Sequence, residues 1–168
     1  LQQNGQKPII ADFHMGSGSL GLYLGMGRSH HMRAVLEKST DEITGNYLNQ
    51  QLITHNTGLR ALAASAHPQE RLPNYNRETA AAVVNALREI GNPTVFDLGS
   101  GYSPLSYYLH PQMDTLILVV EAMGTTLVMA RELMAQLNPE GNRHIEIVVV
   151  NRTENKLQPT WHEVETAL

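Results

Sequence analysis

The chain has 168 residues, 42% apolar and 17% charged, with a formal net charge of −4. That length buries a core unaided, and the absence of cysteine excludes disulfides, zinc thiolates and cysteine nucleophiles. The Lys and Arg residues are scattered, so no basic patch marks a nucleic-acid surface, and no apolar run is long enough to span a bilayer.

Leu1 to Lys7 (LQQNGQK) has the pattern of a helix end with a Gly5 cap and a turn. Pro8 to Phe13 is predicted as a short strand, and Met15 to Ser19 as a Gly/Ser loop. Short helices are expected over Gly18–Met26 and His31–Lys38. Thr40 to Leu48 (TDEITGNYL) offers an N-cap and a further helical segment, weakened by Gly45. Leu59 to Ala64 (LRALAA) has helical propensity, but its shortness and the preceding Asn56-Thr-Gly58 turn favour a strand. His67 to Tyr75, with two prolines, is expected as loop. Asn76 caps an amphipathic helix, Arg77 to Ile90, which Gly91-Asn-Pro ends. Strands at Thr94–Asp97, Thr115–Glu121 and His144–Val150 then alternate with helices starting at Pro104 and spanning Thr125–Leu137. Thr160 N-caps a final helix that the sequence does not close.

Alternation of strands and helices predicts one α/β domain over 1–168, a doubly wound and mostly parallel sheet with helices on both faces. The segments LILVV and IEIVVV are continuously apolar, as in strands covered on both faces. Ligands of such sheets lie beyond the carboxyl ends of the strands, where Asp12, Asp97 and Asn151 fall. Both ends of the chain look cut, and it is expected to be a fragment with an element missing from each side. With no signal peptide and no membrane span, the cytoplasm is the expected compartment.

The stretch VFDLGSGYSPLSYYL (Val95 to Leu109) fits two chemistries. Asp97, Gly99 and Gly101, with Glu121 ending the next strand, suit the cofactor loop of an S-adenosylmethionine methyltransferase. Against this, Ser103 stands where a third glycine is expected, and Asn151 rather than an acid follows Val150. The same stretch suits a metal-holding strand of a nucleotide hydrolase.

Five segments in order carry a resemblance to the MinD/ParA-type ATPases. IIADFHMGSGSLGLYLG (Ile9 to Gly25) resembles the strand ending in Asp-x-Asp with its Gly-containing loop. HNTGLRALAAS (His55 to Ser65) resembles the middle strand, and VFDLGSGYSP the Walker B strand and switch loop. LILVVEAMGTTLVMARELMAQL (Leu116 to Leu137) and IEIVVVNRT (Ile145 to Thr153) resemble the strand, helix and strand that follow. The likeness covers nearly the whole chain and is strongest to the branch with pilus-assembly CpaE-type proteins.

The resemblance implies an ATP- and Mg²⁺-dependent switch: two subunits sandwich the nucleotide, and the homodimer recruits a protein partner of an assembly or partitioning system. Such a protein is cytoplasmic or recruited to the inner face of the membrane. By that likeness Asp97 is the Walker B aspartate on Mg²⁺, Asp12 lies near metal and phosphates, and Gly99 approaches the γ-phosphate. Asn151 and Arg152 lie near the adenine. Taken as ordinary residues, Asp97 and Asp12 equally cap local backbone, and Gly99 is a turn glycine. No Gly-x-x-x-x-Gly-Lys-[Ser/Thr] phosphate loop occurs in the chain, and family order places it before Leu1. His14 occupies the second aspartate position. A neutral imidazole accepts a proton but supplies no negative charge beside Mg²⁺, so the resemblance implies impaired hydrolysis. A non-catalytic family member acting as an interaction module is the second expectation, and the methyltransferase the third.

Overall fold

The computed structural model describes residues 6–26, 31–71, 75–150 and 158–168. The chain divides into two compact units, Leu1–Leu109 and His110–Leu168.

The first unit is built around β1 (Ile9–Asp12), the third strand of a four-stranded sheet ordered β2-β3-β1-β4. Parallel neighbours flank β1 on both sides: β3 (Arg60–Leu62) pairs Ile9 with Arg60, and β4 (Thr94–Asp97) pairs Ile9 with Thr94 and Asp12 with Asp97. This interior place explains why Ile9, Ala11 and Asp12 are completely buried. The strand continuation Ala63-Ala64-Ser65 is buried too, and its small side chains leave room for backbone to approach.

Three short helices, α1 (Leu20–Tyr23), α2 (Met32–Leu36) and α3 (Gly45–Gln51), follow β1. The cap of α3 is Thr44, whose side chain accepts from Tyr47 N–H. Gly45 is therefore the first helical residue and not an interior weakness. It abuts Ile90, where a methyl group at position 45 would stand 2.9 Å from Ile90 Cγ2.

An element with no local signal is β2 (Ile53–Thr54), which folds back antiparallel on β3 through the Gly58 turn. Two residues are too few for an alternating pattern to show. Within the expected loop, Pro68–Arg71 forms a 3₁₀ turn.

Helix α4 (Arg77–Ile90) buries Thr79, Ala80, Val83, Val84, Ala86 and Leu87, one helical stripe. Asn76 accepts from Glu78 N–H at 2.7 Å, which is the expected cap. Helices α2 and α3 pack on α4, as does α5 (Pro104–Leu109).

In the second unit β5 (Leu116–Glu121) and β6 (Ile145–Val150) pair in parallel, joined by α6 (Gly124–Leu137). Val120, Ala122, Leu127 and Ala130 form a core with Val164 of α7 (Trp161–Ala167). Leu118, Ile147 and Val149 pack against it, so these helices cover one face of the pair. The opposite face exposes Ile117 and Val119, each 60% accessible.

Candidate functional site

Because β1 and β4 are adjacent, parallel and in register, their last residues, Asp12 and Asp97, stand side by side at the carboxyl end of the sheet. The pairing runs one step further, with Phe13 N–H donating to Asp97 O at 2.8 Å. Below it the rings of Phe13 and Phe96 lie 6.1 Å apart.

The two aspartates differ in environment. Asp12 has no exposed surface; its Oδ1 accepts from His14 N–H at 2.8 Å and its Oδ2 from Leu20 N–H at 3.4 Å. Burial pushes its pKa above the usual carboxylate value, and the Asp97 charge adds to this against the pull of the two backbone bonds. Asp97 is exposed, and its Oδ1 accepts from Gly99 N–H at 2.9 Å. That bond closes an Asx turn.

Gly99 has φ of 77°, the left-handed region, and a methyl there would lie 2.7 Å from Cγ and Cδ2 of His14. The imidazole thus lies over the glycine turn. The loop that carries His14 is fixed by Ser17 N–H on His14 O and by Gly18 N–H on Ser65 O, both 3.1 Å. Three strand ends, those of β3, β1 and β4, are tied together there.

Ser103 has a local role. Its Oγ accepts from Ser106 N–H at 3.0 Å, while Ser106 Oγ accepts from Ser103 N–H at 2.8 Å. These reciprocal bonds start α5, as a capping box does, and a glycine could not make them. A feature the sequence left unremarked is the cluster Tyr102, Tyr107 and Tyr108, in edge-to-face contact with Arg77 5.7 Å above the Tyr108 ring. Its only signal is the YSPLSYY spacing.

Among the described residues no group of three His, Cys, Asp or Glu side chains could hold a metal ion. The donor set therefore does not make an all-protein cage. It fits Mg²⁺ in one way, as a largely hydrated ion held by a single carboxylate together with phosphate oxygens. Asp97 is the exposed carboxylate available for that, whereas both Asp12 oxygens serve backbone N–H groups. Asn151 and Arg152 lie outside the described residues. His31, one of the pair His30-His31, is bonded through Nδ1 to Gln51 O at 2.8 Å.

This α/β fold, with its acid-tipped parallel strands, is the fold of the ParA- and MinD-type ATPases. A ParA family ATPase from Chlorobium tepidum matches with a TM-score of 0.81 and 19% identity, over 96% of this chain and 66% of that one. The MinD of a MinC:MinD cell division complex from Aquifex aeolicus matches at 0.78 and 15%, over 99% and 66%. MinD complexed with Mg-ADP from Pyrococcus horikoshii matches at 0.74 and 10%, over 99% and 66%. The chain thus spans just under two thirds of the length of these proteins. No family model and no curated protein matches the sequence. No helix among the described residues is long and apolar enough to cross a membrane.

Proposed function

We propose that residues 1–168 are one domain of a ParA/MinD-type nucleotide switch of the CpaE-like branch, impaired in hydrolysis. The observation that carries this is the register of Asp12 and Asp97 at adjacent parallel strand ends, with the glycine turn held under His14. In this role Asp97 holds hydrated Mg²⁺, and Asp12 pins the β1 loop behind it. Gly99 brings backbone to the terminal phosphate, and Asn151 and Arg152 approach the adenine. His14 stands where a carboxylate would activate water, so turnover is slow. ATP-dependent homodimerisation, in the cytoplasm or at the inner face of the membrane, then presents a surface to a protein partner. The fold shared with a ParA family ATPase and a cell division ATPase supports this.

The chain has no phosphate loop of its own, so its Mg-ATP affinity is expected to be millimolar or weaker. Backbone amide shifts measured by NMR test this. Mg-ATP is expected to move the Gly99 and His14 signals, and Mg²⁺ removal or Asp97→Asn to abolish the effect. A wild-type response to Mg-ATP persisting in Asp97→Asn would sink the proposal. Tight S-adenosylmethionine binding, lost in Asp97→Ala or Glu121→Ala, would replace it with a methyltransferase.

A second role is non-catalytic docking, which His14 at the water-activating position favours. It is distinguished by nucleotide-dependent dimerisation without any hydrolysis, and with no gain in turnover for His14→Asp.

A further inference from the structure

At the opposite end of the four-stranded sheet, where β1, β3 and β4 begin, an open pocket of about 920 Å³ lies beside the ends of α3 and α4. Lys7 precedes β1, Arg60 opens β3, and Gly91-Asn92 lead into β4. The pocket is far from Asp12: at about 3.3 Å per strand residue, the length of β1 separates the two by roughly 16 Å. We propose that it binds a small polyanion, a molecule carrying two or more carboxylate or phosphate groups.

Charge is the first reason. Among the described residues Lys7, Arg60 and Arg88 line the pocket with one carboxylate, that of Glu89, on a chain whose net charge is −4. A local cationic concavity on an acidic protein concentrates anions there. Its walls also select against other ligands. Among the described lining residues Ile90 is the one aliphatic side chain and none is aromatic, so they offer a nucleobase or an apolar ligand little to stack on. Asn46, Asn49 and Asn92 instead offer amide donors and acceptors to a polar ligand.

Preorganisation is the second reason. The Arg60 guanidinium is held in place by Asn49 Oδ1 at 3.1 Å and by the carbonyls of Lys7 at 3.2 Å and Ile90 at 2.7 Å. Those bonds occupy Nη2 and part of Nη1, leaving Nε–H and an Nη1–H for an oxyanion. A cation already immobilised costs a ligand less ordering entropy. Gly91 in the lining packs closely too: a methyl there would lie 2.7 Å from Thr94 Oγ1 and 2.8 Å from Ile9 Cδ1, so a larger residue would displace those side chains.

Calorimetric titration of the chain in metal-free buffer of low ionic strength tests the site, with citrate, pyrophosphate and glucose as probes. Saturable binding of an anion is expected, and none of glucose. Lys7→Gln and Arg88→Gln should each weaken it roughly 3- to 10-fold, while Asp97→Asn leaves it unchanged, so the outcome is independent of the nucleotide site. Arg60 is left intact because its bonds hold β1 and α4 together. Citrate alone binding identifies a carboxylate ligand, pyrophosphate alone a phosphate ligand, and both a site selective for charge. No saturable binding of either anion up to about 10 mM, or equal affinity in the Lys7→Gln/Arg88→Gln double variant, overturns the proposal.

Discussion

His14 and Gly99 are in contact across the ends of β1 and β4: the imidazole fills the space that any side chain at residue 99 would enter. The contact joins the loop after one strand to the turn after the next, and both strands end in an aspartate. Two independent costs then fall on Gly99→Ala. The φ of 77° strains an L-residue, and the new methyl meets the His14 ring at 2.7 Å. Together these should destabilise the chain by roughly 2–4 kcal/mol.

A double-mutant cycle separates the two costs. In a His14→Ala background the ring is gone, and Gly99→Ala should cost only the backbone strain, roughly 1–2 kcal/mol. Urea denaturation of the four proteins reads the coupling directly. Strict additivity would mean that His14 does not rest on the turn.

Asp12 makes a pH-dependent contribution of unusual sign for a carboxylate. Burial raises its native pKa above the ordinary 3.8, so the folded state binds this proton more tightly than the unfolded chain. Its contribution is fully present below pH 3.8 and declines as pH rises through the native value. Asp12→Asn cannot titrate. Whatever its absolute stability, it should gain on the wild type as pH rises from about 3 to 7. Denaturation midpoints across that range measure the trend; a constant difference, or one moving the other way, would contradict it.

These residues also show what a sequence alone makes legible. Asp12, Asp97 and Gly99 were visible because a strand ending in an acid or a glycine turn is a local pattern. So were the caps at Asn76 and Thr160, where one side chain serves the next turn of its own helix. The contact between His14 and Gly99 was not visible, since it exists only because β4 and not another strand pairs beside β1. Strand order is a tertiary choice that no window of sequence contains. The same limit hid the pocket of Lys7, Arg60 and Arg88, drawn from three separated segments.

Gly18 contrasts with Gly99. A methyl there would stand 2.4 Å from the backbone oxygen of Ala64 and 2.6 Å from its carbonyl carbon, an obstacle that cannot rotate away. Gly18→Ala should therefore push the β1 loop off the end of β3, at a cost of about 3 kcal/mol. Ala64→Gly should fail to rescue it. Hydrogen exchange at the Gly18 amide, which bonds Ser65 O at 3.1 Å, should quicken in the variant. Rescue by Ala64→Gly would show that side chains, not backbone, set the spacing.

The caps permit a last test, one in each unit. Asn76→Ala removes the acceptor for Glu78 N–H from the long helix α4 and should cost about 1 kcal/mol globally. The cap of α7 works differently, because Thr160 and Glu163 bond reciprocally: Glu163 Oε2 accepts from Thr160 N–H at 2.7 Å, and Thr160 Oγ1 from Glu163 N–H at 3.2 Å. The Thr160 N–H, then its hydroxyl, hold the Glu163 carboxyl below its ordinary 4.5. This stabilisation is present above pH 4.5 and is lost as pH falls through the lowered native value. Acidification should thus fray α7, which buries only Val164, before the rest of the chain unfolds. Amide exchange of Val164 and Leu168, whose N–H groups bond Thr160 O and Val164 O, follows this directly. Glu163→Gln should lose the acid sensitivity while keeping a capping side chain, and Thr160→Ala should show fast exchange at every pH. If wild type and Glu163→Gln respond alike to acid, the carboxylate does not hold the cap.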